Sequence, residues 1–528
     1  MVFRHLNRFL IQRNIDYFNI CFITLTVLII KNMKKAFIII TVVLASLVGW
    51  SCKDKFLDIA PPTNQQTDAV MFQTKEQFDG FIIGAYAEML GIADWVQNTG
   101  FVSQDVLDVG EQRKALPTYM VPTNGAFQGY WQSMYIINSR ANILIERIKA
   151  APSVITAAEK TRIEGEAKFL RGFAYFHIAR AYGNAPLILE TFSIAQTVLP
   201  CTPEDKLWDQ VILDMKDASD KLPKRAEWGN ANLGRATKGS ALAFLANAYM
   251  YKKDWANAAK ASQDLIAMND YQLLGNVREV FSTKGENGKE SIFEVQFRAG
   301  NFEWSNNKQT GSLIGAFTAP RNIGGDYAHF GAWGEMVLDK SVRASMELGD
   351  DRRQLIKGLG DKYKGEFMPD TIVIGDTATK PAGLAKQAFI PQRNVEWSVK
   401  YWYGKGPDVS GSNIPVMRYA EFALNYAEAL FEQGKTAEAY AQLNAVRNRA
   451  KLPNKLVSAD KEVFMTALMN ERRWELNTEP NLWFHYTRTG RSAAFMTAKG
   501  VNFDPKWNKF PVPQSERDQN PNLCQTGG

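Results

Sequence analysis

Apolar residues recur every three or four positions from Lys75 to Leu90, and again from Tyr130 to Ala151, as at Trp131, Met134, Tyr135, Ile143, Leu144 and Ile148. That spacing puts one apolar stripe on a helix. A third helix is predicted over Glu164 to Tyr182, where Ala167, Leu170, Phe173, Ala174, Ile178, Ala181 and Tyr182 mix small and large side chains. Such a mixture suits close helix pairing, and Gly183, Asn184 and Pro186 end the helix. Two helix pairs follow. Leu242, Leu245, Ala246 and Tyr249 lead through a turn at Lys252 to Asp254 into Trp255, Ala258 and Leu265. Within Tyr419 to Ala450, Ala427 and Leu430 lead through Gly434 into Ala439, Leu443 and Val446. These offsets match tetratricopeptide repeats, in which small residues let two helices approach and large ones fill between them. The expected fold class is mostly α: tetratricopeptide-like helix pairs forming a superhelical scaffold, with an irregular loop-rich lobe containing short β-strands.

The periodicity breaks in three places. Ala93 to Gly129 carries Gly, Asn and Pro and is too long for a simple connection, so it reads as a functional loop region. Asn276 to Pro415 is rich in Gly and Asn, with strand-like runs at Ser291 to Phe297 and Thr371 to Ile374. The tail from Asn502, with Pro505, Pro511, Pro513 and Pro521, reads as a segment wrapping the body. The expected division is a helical scaffold over residues 52–275 and 415–528, with a loop-rich, ligand-side lobe at 276–414 packed on the same domain.

The N-terminal residues change the picture of where the protein works. Lys34 and Lys35, the apolar run Ala36 to Val48, and Gly49 and Ser51 flanking Trp50 lead to Cys52. A basic start, a short apolar stretch and small residues before cysteine form a bacterial lipoprotein export signal. Residues 1–51 are thus expected to be a signal peptide, with Met33 as the true start and Cys52 as the lipidated residue. The rival reading, two membrane spans at Ile15 to Ile30 and Ala36 to Trp50, gives segments shorter than the roughly 20 apolar residues a spanning helix needs.

Removing residues 1–51 takes six of 62 Lys/Arg and one of 55 Asp/Glu, leaving 56 against 54. Near neutrality argues against nucleic acid as a partner. Cys201 and Cys524 then remain, far apart, and read as two free thiols. His5, His177, His329 and His485 are scattered singly, with no HExxH or CxxC, so no metal ligands and no cofactor are predicted. Loop acids and carbonyls could still hold a structural calcium ion.

Several segments in order carry a family resemblance. Gly165 to Leu187, GEAKFLRGFAYFHIARAYGNAPL, resembles the signature helix of the SusD/RagB family of Bacteroidetes outer-membrane lipoproteins. Cys52-Lys53-Asp54 with Phe56-Leu57-Asp58 looks like that family's mature start, and Trp131 to Asn142 resembles its early helix. Lys289 to Phe297, Asp351-Arg352-Arg353, Asn413 to Leu430, Glu471 to Leu476 and Phe510 to Gln525 also match. Two positions depart from it: His485, where the family usually has an acid, and Cys524 in the closing segment. The resemblance implies a helical protein without catalysis. It would sit as a lid on an outer-membrane, SusC-like TonB-dependent transporter, exposed at the cell surface through its lipid anchor, and capture oligosaccharides, or in some members peptides, for that channel.

Sugar capture needs flat aromatic faces for the C–H side of a pyranose, with amides, acids or arginine at the edges for hydroxyls. Aromatics in polar, glycine-bearing surroundings are the candidates: Trp95, beside Asp94, Gln97 and Asn98; Trp304, among Glu303, Ser305, Asn306 and Asn307; and Tyr327 and Trp333, with Phe330, Asp326 and His329 between Gly324 and Gly334. Trp131, Trp208, Trp255, Trp474 and Trp483 sit in helical periodicity and read as core, and Tyr401, Trp402 and Tyr403 read as structural. A glycosidase would need two converging carboxylates. Asp105, Asp108 and Glu111 are the acids of the first loop region, and they read as solvated surface acids. No Gly-x-Ser-x-Gly elbow, Walker loop or dinucleotide fingerprint is present. A pure tetratricopeptide interaction scaffold is the remaining alternative.

Overall fold

The computed structural model describes residues 71–526, apart from 109–113, 192–197, 283, 299–310, 320–333, 359–360, 364–365, 368–370, 375–387, 392–394 and 403–410. Cys52 and the predicted signal peptide lie outside the described residues, as does Tyr403. Eleven helices carry the scaffold among those described: α1 (Lys75–Ala87), α2 (Ile92–Ser103), α3 (Gly125–Lys149), α4 (Ala157–Tyr182), α5 (Glu204–Lys221), α6 (Lys238–Tyr251), α7 (Trp255–Ile266), α8 (Tyr419–Phe431), α9 (Thr436–Arg449), α10 (Lys461–Leu476) and α11 (Leu482–Arg488). Their starts are chemically marked. Thr74, Thr156 and Thr237 form capping boxes with Gln77, Glu159 and Ser240, satisfying amides that a helix start leaves open.

From α3 onward each helix packs on the next as far as α7, which in turn packs on α8, and α8 packs on α9 and α10. Small residues set these approaches. Ala420, Ala423 and Ala427 of α8 face Ala439 and Leu443 of α9 and Phe464 and Leu468 of α10 within one buried cluster. A second core is aromatic, where Phe169, Phe173 and Phe176 of α4 meet Phe244 of α6. Trp131, Trp208, Trp474 and Trp483 are buried as expected, and so are Tyr401 and Trp402; Trp255 is half-buried against the α8 cluster. No helix among the described residues is long and apolar enough to cross a membrane.

The strands are short and lie mostly between α7 and α8. In chain order they are β1 (Val106–Asp108), β2 (Ser291–Val295), β3 (Met336–Asp339), β4 (Ile356–Gly358), β5 (Val395–Ser398) and β6 (Ile414–Arg418). One antiparallel sheet runs β1-β3-β5-β4, and β6 pairs with β2. Two further hairpins pair Lys362–Tyr363 with Glu366–Phe367 and the expected strand Thr371–Ile374 with Ala388–Pro391.

A buried charge network ties this region to the helices. Arg418 at the end of β6 donates to Glu290, Glu475 and Glu479, while Arg352 donates to Asp350, Glu471 and Glu475. Each arginine reaches several carboxylates, which is the condition for keeping charges out of water. His485 differs: its Nε2 lies 2.9 Å from Glu421 Oε1 in the core, but burial, then Arg472 and Arg488, hold the imidazole well below its ordinary value.

Two expectations need correction. The 93–129 stretch contains α2, β1 and the short helix Leu116–Tyr119 rather than one long loop. Cys201 and Cys524 are not free thiols but a disulfide, with Cα atoms 5.9 Å apart. The tail does lie along the body: the amide of Phe510 donates to the Ala181 carbonyl, and the side-chain amide of Asn520 donates to the Leu199 carbonyl.

Candidate ligand-binding site

Trp95 is a core residue and not a loop platform for a ligand. Ile92, Trp95, Val96, Thr99, Val102 and Ser103 form the buried face of α2, and Trp95 is 5% exposed. Its ring meets Tyr130 edge-on, centroids 4.9 Å apart, and lies 5.7 Å from His177. Its polar neighbours Asp94, Gln97 and Asn98, within a stretch that carries Gly, Asn and Pro, are what make it read as loop. Gly100 has another purpose, since a Cβ there would stand 2.6 Å from Val106 Cγ2. The glycine lets β1 lie against α2. Trp304, Tyr327 and Trp333 lie outside the described residues.

Away from its buried face α2 carries Asp94 and Gln97, while Asn98, the third polar neighbour of Trp95, is itself buried. Asp94 is exposed, Gln97 donates from Nε2 to Glu335 Oε2 at 3.2 Å, and Asn98 Oδ1 accepts from the Tyr119 hydroxyl at 2.6 Å. Loss of water on its protein side, and next the Glu335 carboxylate, push Asp94 up to about 6, although its outer side stays exposed. Burial, then Asp108 and Asp94, raise the Tyr119 phenol, which stays a proton donor to Asn98. Asp108 in turn pairs with Lys114. The missed residues are thus Asp94, Gln97, Asn98, Tyr119 and Glu335. Polar spacing of three and four at 94, 97 and 98, between apolar positions, was the signal that could have found them.

This face sits where the segment bearing Tyr327 and Trp333 rejoins the described chain. Glu335 directly precedes β3, which is paired with β1 through Leu107↔Val337, and the Gly334 amide donates to the Ala316 carbonyl. Amide, phenol and carboxylate edges together can donate to and accept from sugar hydroxyls. They do not form an acid–base pair with Asp105. That carboxylate is 2% exposed; burial works against its charge, but Arg473 and Lys499 outweigh burial and hold it down to about 2. A permanently ionised, blocked carboxylate cannot serve as a general acid. Glu111 lies outside the described residues. Among the described residues no three His, Cys, Asp or Glu come together as a metal site.

Two family models match successive parts of the chain, "Starch-binding associating with outer membrane" over residues 55–250 and "SusD family" over residues 361–528. The chain belongs to the SusD/RagB family. Among relatives of this SusD/RagB protein, SusD-like protein P2 of Formosa agariphila is 26% identical over 93% of this chain and 99% of its own length. Surface glycan-binding protein A from Bacteroides fluxus superposes with a TM-score of 0.71 at 22% identity, covering 86% of this chain and all of that one. The protein of that name from Bacteroides thetaiotaomicron, in complex with laminarihexaose, gives 0.70 at 20% identity over 85% and 99% of the two chains.

Proposed function

We propose that this SusD/RagB protein is a glycan-binding lipoprotein of the outer membrane that captures oligosaccharides and delivers them to a SusC-like TonB-dependent transporter. The matched description, starch-binding and associating with the outer membrane, supports both ligand class and location. The carrying observation is the α2 face. Asp94, Gln97 with Glu335, and the Tyr119 hydroxyl held by buried Asn98 offer hydroxyl-recognising edges beside the point where the segment bearing Tyr327 and Trp333 rejoins the described chain. In this reading Cys52 carries the lipid anchor, residues 276–414 together with the polar side of α2 form the ligand side, and the rest of the helical scaffold faces the transporter. Capture requires no catalytic group and no cofactor.

Stacking on a loop ring contributes about 1 kcal/mol beyond area burial. Loss of two rings in a Trp304→Ala, Trp333→Ala variant therefore weakens binding by about 30-fold. Calorimetry with laminarihexaose, and with whichever ligands a glycan array returns, measures this. An intact helical circular dichroism spectrum with no glycan bound by the parent protein would refute the proposal, and unchanged affinity in the variant would refute the choice of rings.

A further inference from the structure

Trp131, Tyr135, Asn138 and Asn142 follow one another at steps of four, three and four residues, so they share one face of α3. Beside them runs a row of exposed residues, Gln132, Ile136 and Ser139. The two rows make the floor and one rim of a cleft of about 640 Å³, a volume within the range of small-ligand sites. One further wall is the stretch Pro186 to Glu190, which the floor residues hold in place. The Tyr135 hydroxyl donates to the Pro186 carbonyl at 2.9 Å, and the Asn142 amide donates to the carbonyls of Ile188 and Glu190 at 2.9 and 3.1 Å. The last wall is the tail, with its short helix Gln514–Gln519. Gln132 Nε2 donates to Glu516 Oε1 there at 3.0 Å, and Leu199 and Leu523 stand close in sequence to the disulfide cysteines 201 and 524. The α2 face is elsewhere. Tyr130, the residue before Trp131, packs edge-on against Trp95 on the buried face of α2, whereas Asp94 and Gln97 lie away from that face.

The lining decides what could bind. Of the lining residues that reach solvent, Tyr135, Ile136, Ile188, Leu199 and Leu523 are apolar, and as many again are polar. The polar ones are amides, a hydroxyl and carboxylates, and no Lys, Arg or His lines the cleft. The Ser139 hydroxyl and the Gln519 amide, both exposed, make no hydrogen bond with another described residue. An anion would therefore meet no positive partner on the lining. A wholly apolar ligand would strip water from the polar rim without replacing its hydrogen bonds. A neutral sugar has what both halves of the lining require, an apolar C–H face and edges of hydroxyls that donate and accept.

We propose that this cleft is a second saccharide site, which takes neutral sugar residues with the C–H face on the Tyr135 ring and hydroxyls on Ser139, Gln519 and Glu516. The Tyr135 hydroxyl is already engaged by Pro186, so the ring is what this half-buried residue offers a ligand. The ligand class follows from the lining of the cleft, and the proposal does not rest on capture at the α2 face.

Hydrogen exchange of the purified protein with laminarihexaose, cellohexaose and maltohexaose, three neutral glucans of different linkage, tests it. With at least one of them, at about ten times its Kd, amides of residues 198–202 and 514–523 are expected to exchange about tenfold more slowly. Hexagalacturonate at the same concentration should leave them unchanged. Ser139→Trp, at an exposed helix position on the rim, fills the cleft and should abolish this protection while the unfolding midpoint stays where it is. The Trp304→Ala, Trp333→Ala variant should keep the protection, because those rings belong to the other site. No protection of these amides by any of the three glucans, protection that survives Ser139→Trp, protection that is lost with Trp304 and Trp333, or equal protection by hexagalacturonate overturns the proposal. Slowed exchange at 514–523 with none at 94–98 would sink the α2 reading alone, and slowed exchange at 94–98 with none at 514–523 would sink this one alone.

Discussion

A buried carboxylate keeps its charge only where cations outweigh the lost water, and Asp105 meets two of them. Its folded value of about 2 lies below the roughly 3.9 of an unfolded aspartate. The stabilisation is therefore fully present above about pH 4 and is lost as pH falls towards 2, amounting to about 2–3 kcal/mol. Asp105→Asn at neutral pH should cost more, about 3–5 kcal/mol, because Arg473 and Lys499 stay buried without their carboxylate. Urea denaturation of parent and variant from pH 7 down to pH 2 measures this, and the gap should narrow below about pH 4. A gap that ignores pH would mean that Asp105 is not ionised in the fold. None of this was legible locally: Arg473 is 368 positions away, and Asp105 reads as one acid among several in a polar stretch. Trp95 shows the converse, a ring with polar sequence neighbours whose spatial neighbours are Tyr130 and His177.

Helix pairs declare themselves in sequence because packing demands small and large residues at fixed offsets along each element. The pairs α6–α7 and α8–α9 were legible for that reason, down to the turns at Asp254, which caps α7, and at Gly434, with φ of 75°. The α2–β1 unit was not, because its glycine has a steric purpose that looks like a turn signal. Gly100 is helical, and an added methyl would stand 2.6 and 2.8 Å from Val106 side-chain carbons. Gly100→Ala should therefore cost about 1–3 kcal/mol through overpacking, despite alanine's better helix propensity. Gly125→Ala, at the first position of α3 with open space around it, should be neutral or stabilising by up to about 1 kcal/mol. Chemical denaturation of the pair measures the contrast. Equal effects would mean that β1 does not press on α2 at Gly100. Because β1 pairs with β3 directly after Glu335, Gly100→Ala should also weaken glycan capture.

At the scale of the whole chain, the charge network and the disulfide join segments that no local pattern connects. Glu471 to Leu476 reads as a helix-packing motif, yet Glu471 and Glu475 are the fully buried carboxylates around which Arg352, Arg418, Arg447 and Arg449 gather. Cys201 and Cys524 are 323 positions apart, so only the path of the tail decides whether they meet. Contacts along its length hold that tail, including Lys509 to Glu204 and the Gln514 amide to the Pro122 carbonyl. Phe510 is buried among Phe127, Tyr130, Tyr182 and Phe484, and its amide bonds to the Ala181 carbonyl. The last residues are held by Asn520, Asn522 and the disulfide, which reach the short stretch Val198 to Cys201, and by the Thr526 hydroxyl, which donates to the Tyr182 carbonyl. A Cys201→Ser, Cys524→Ser variant should therefore loosen the chain locally. Hydrogen exchange is expected to speed up for amides of residues 520–526 and 198–202, while the Phe510 amide stays protected. A stability loss of about 2–4 kcal/mol is the usual worth of a disulfide, but it falls on global unfolding only if the tail is docked throughout the cooperative unit. Loss of protection at Phe510 would show that the disulfide holds the whole tail, and unchanged exchange at 520–526 would show that the asparagine and Thr526 contacts suffice without it.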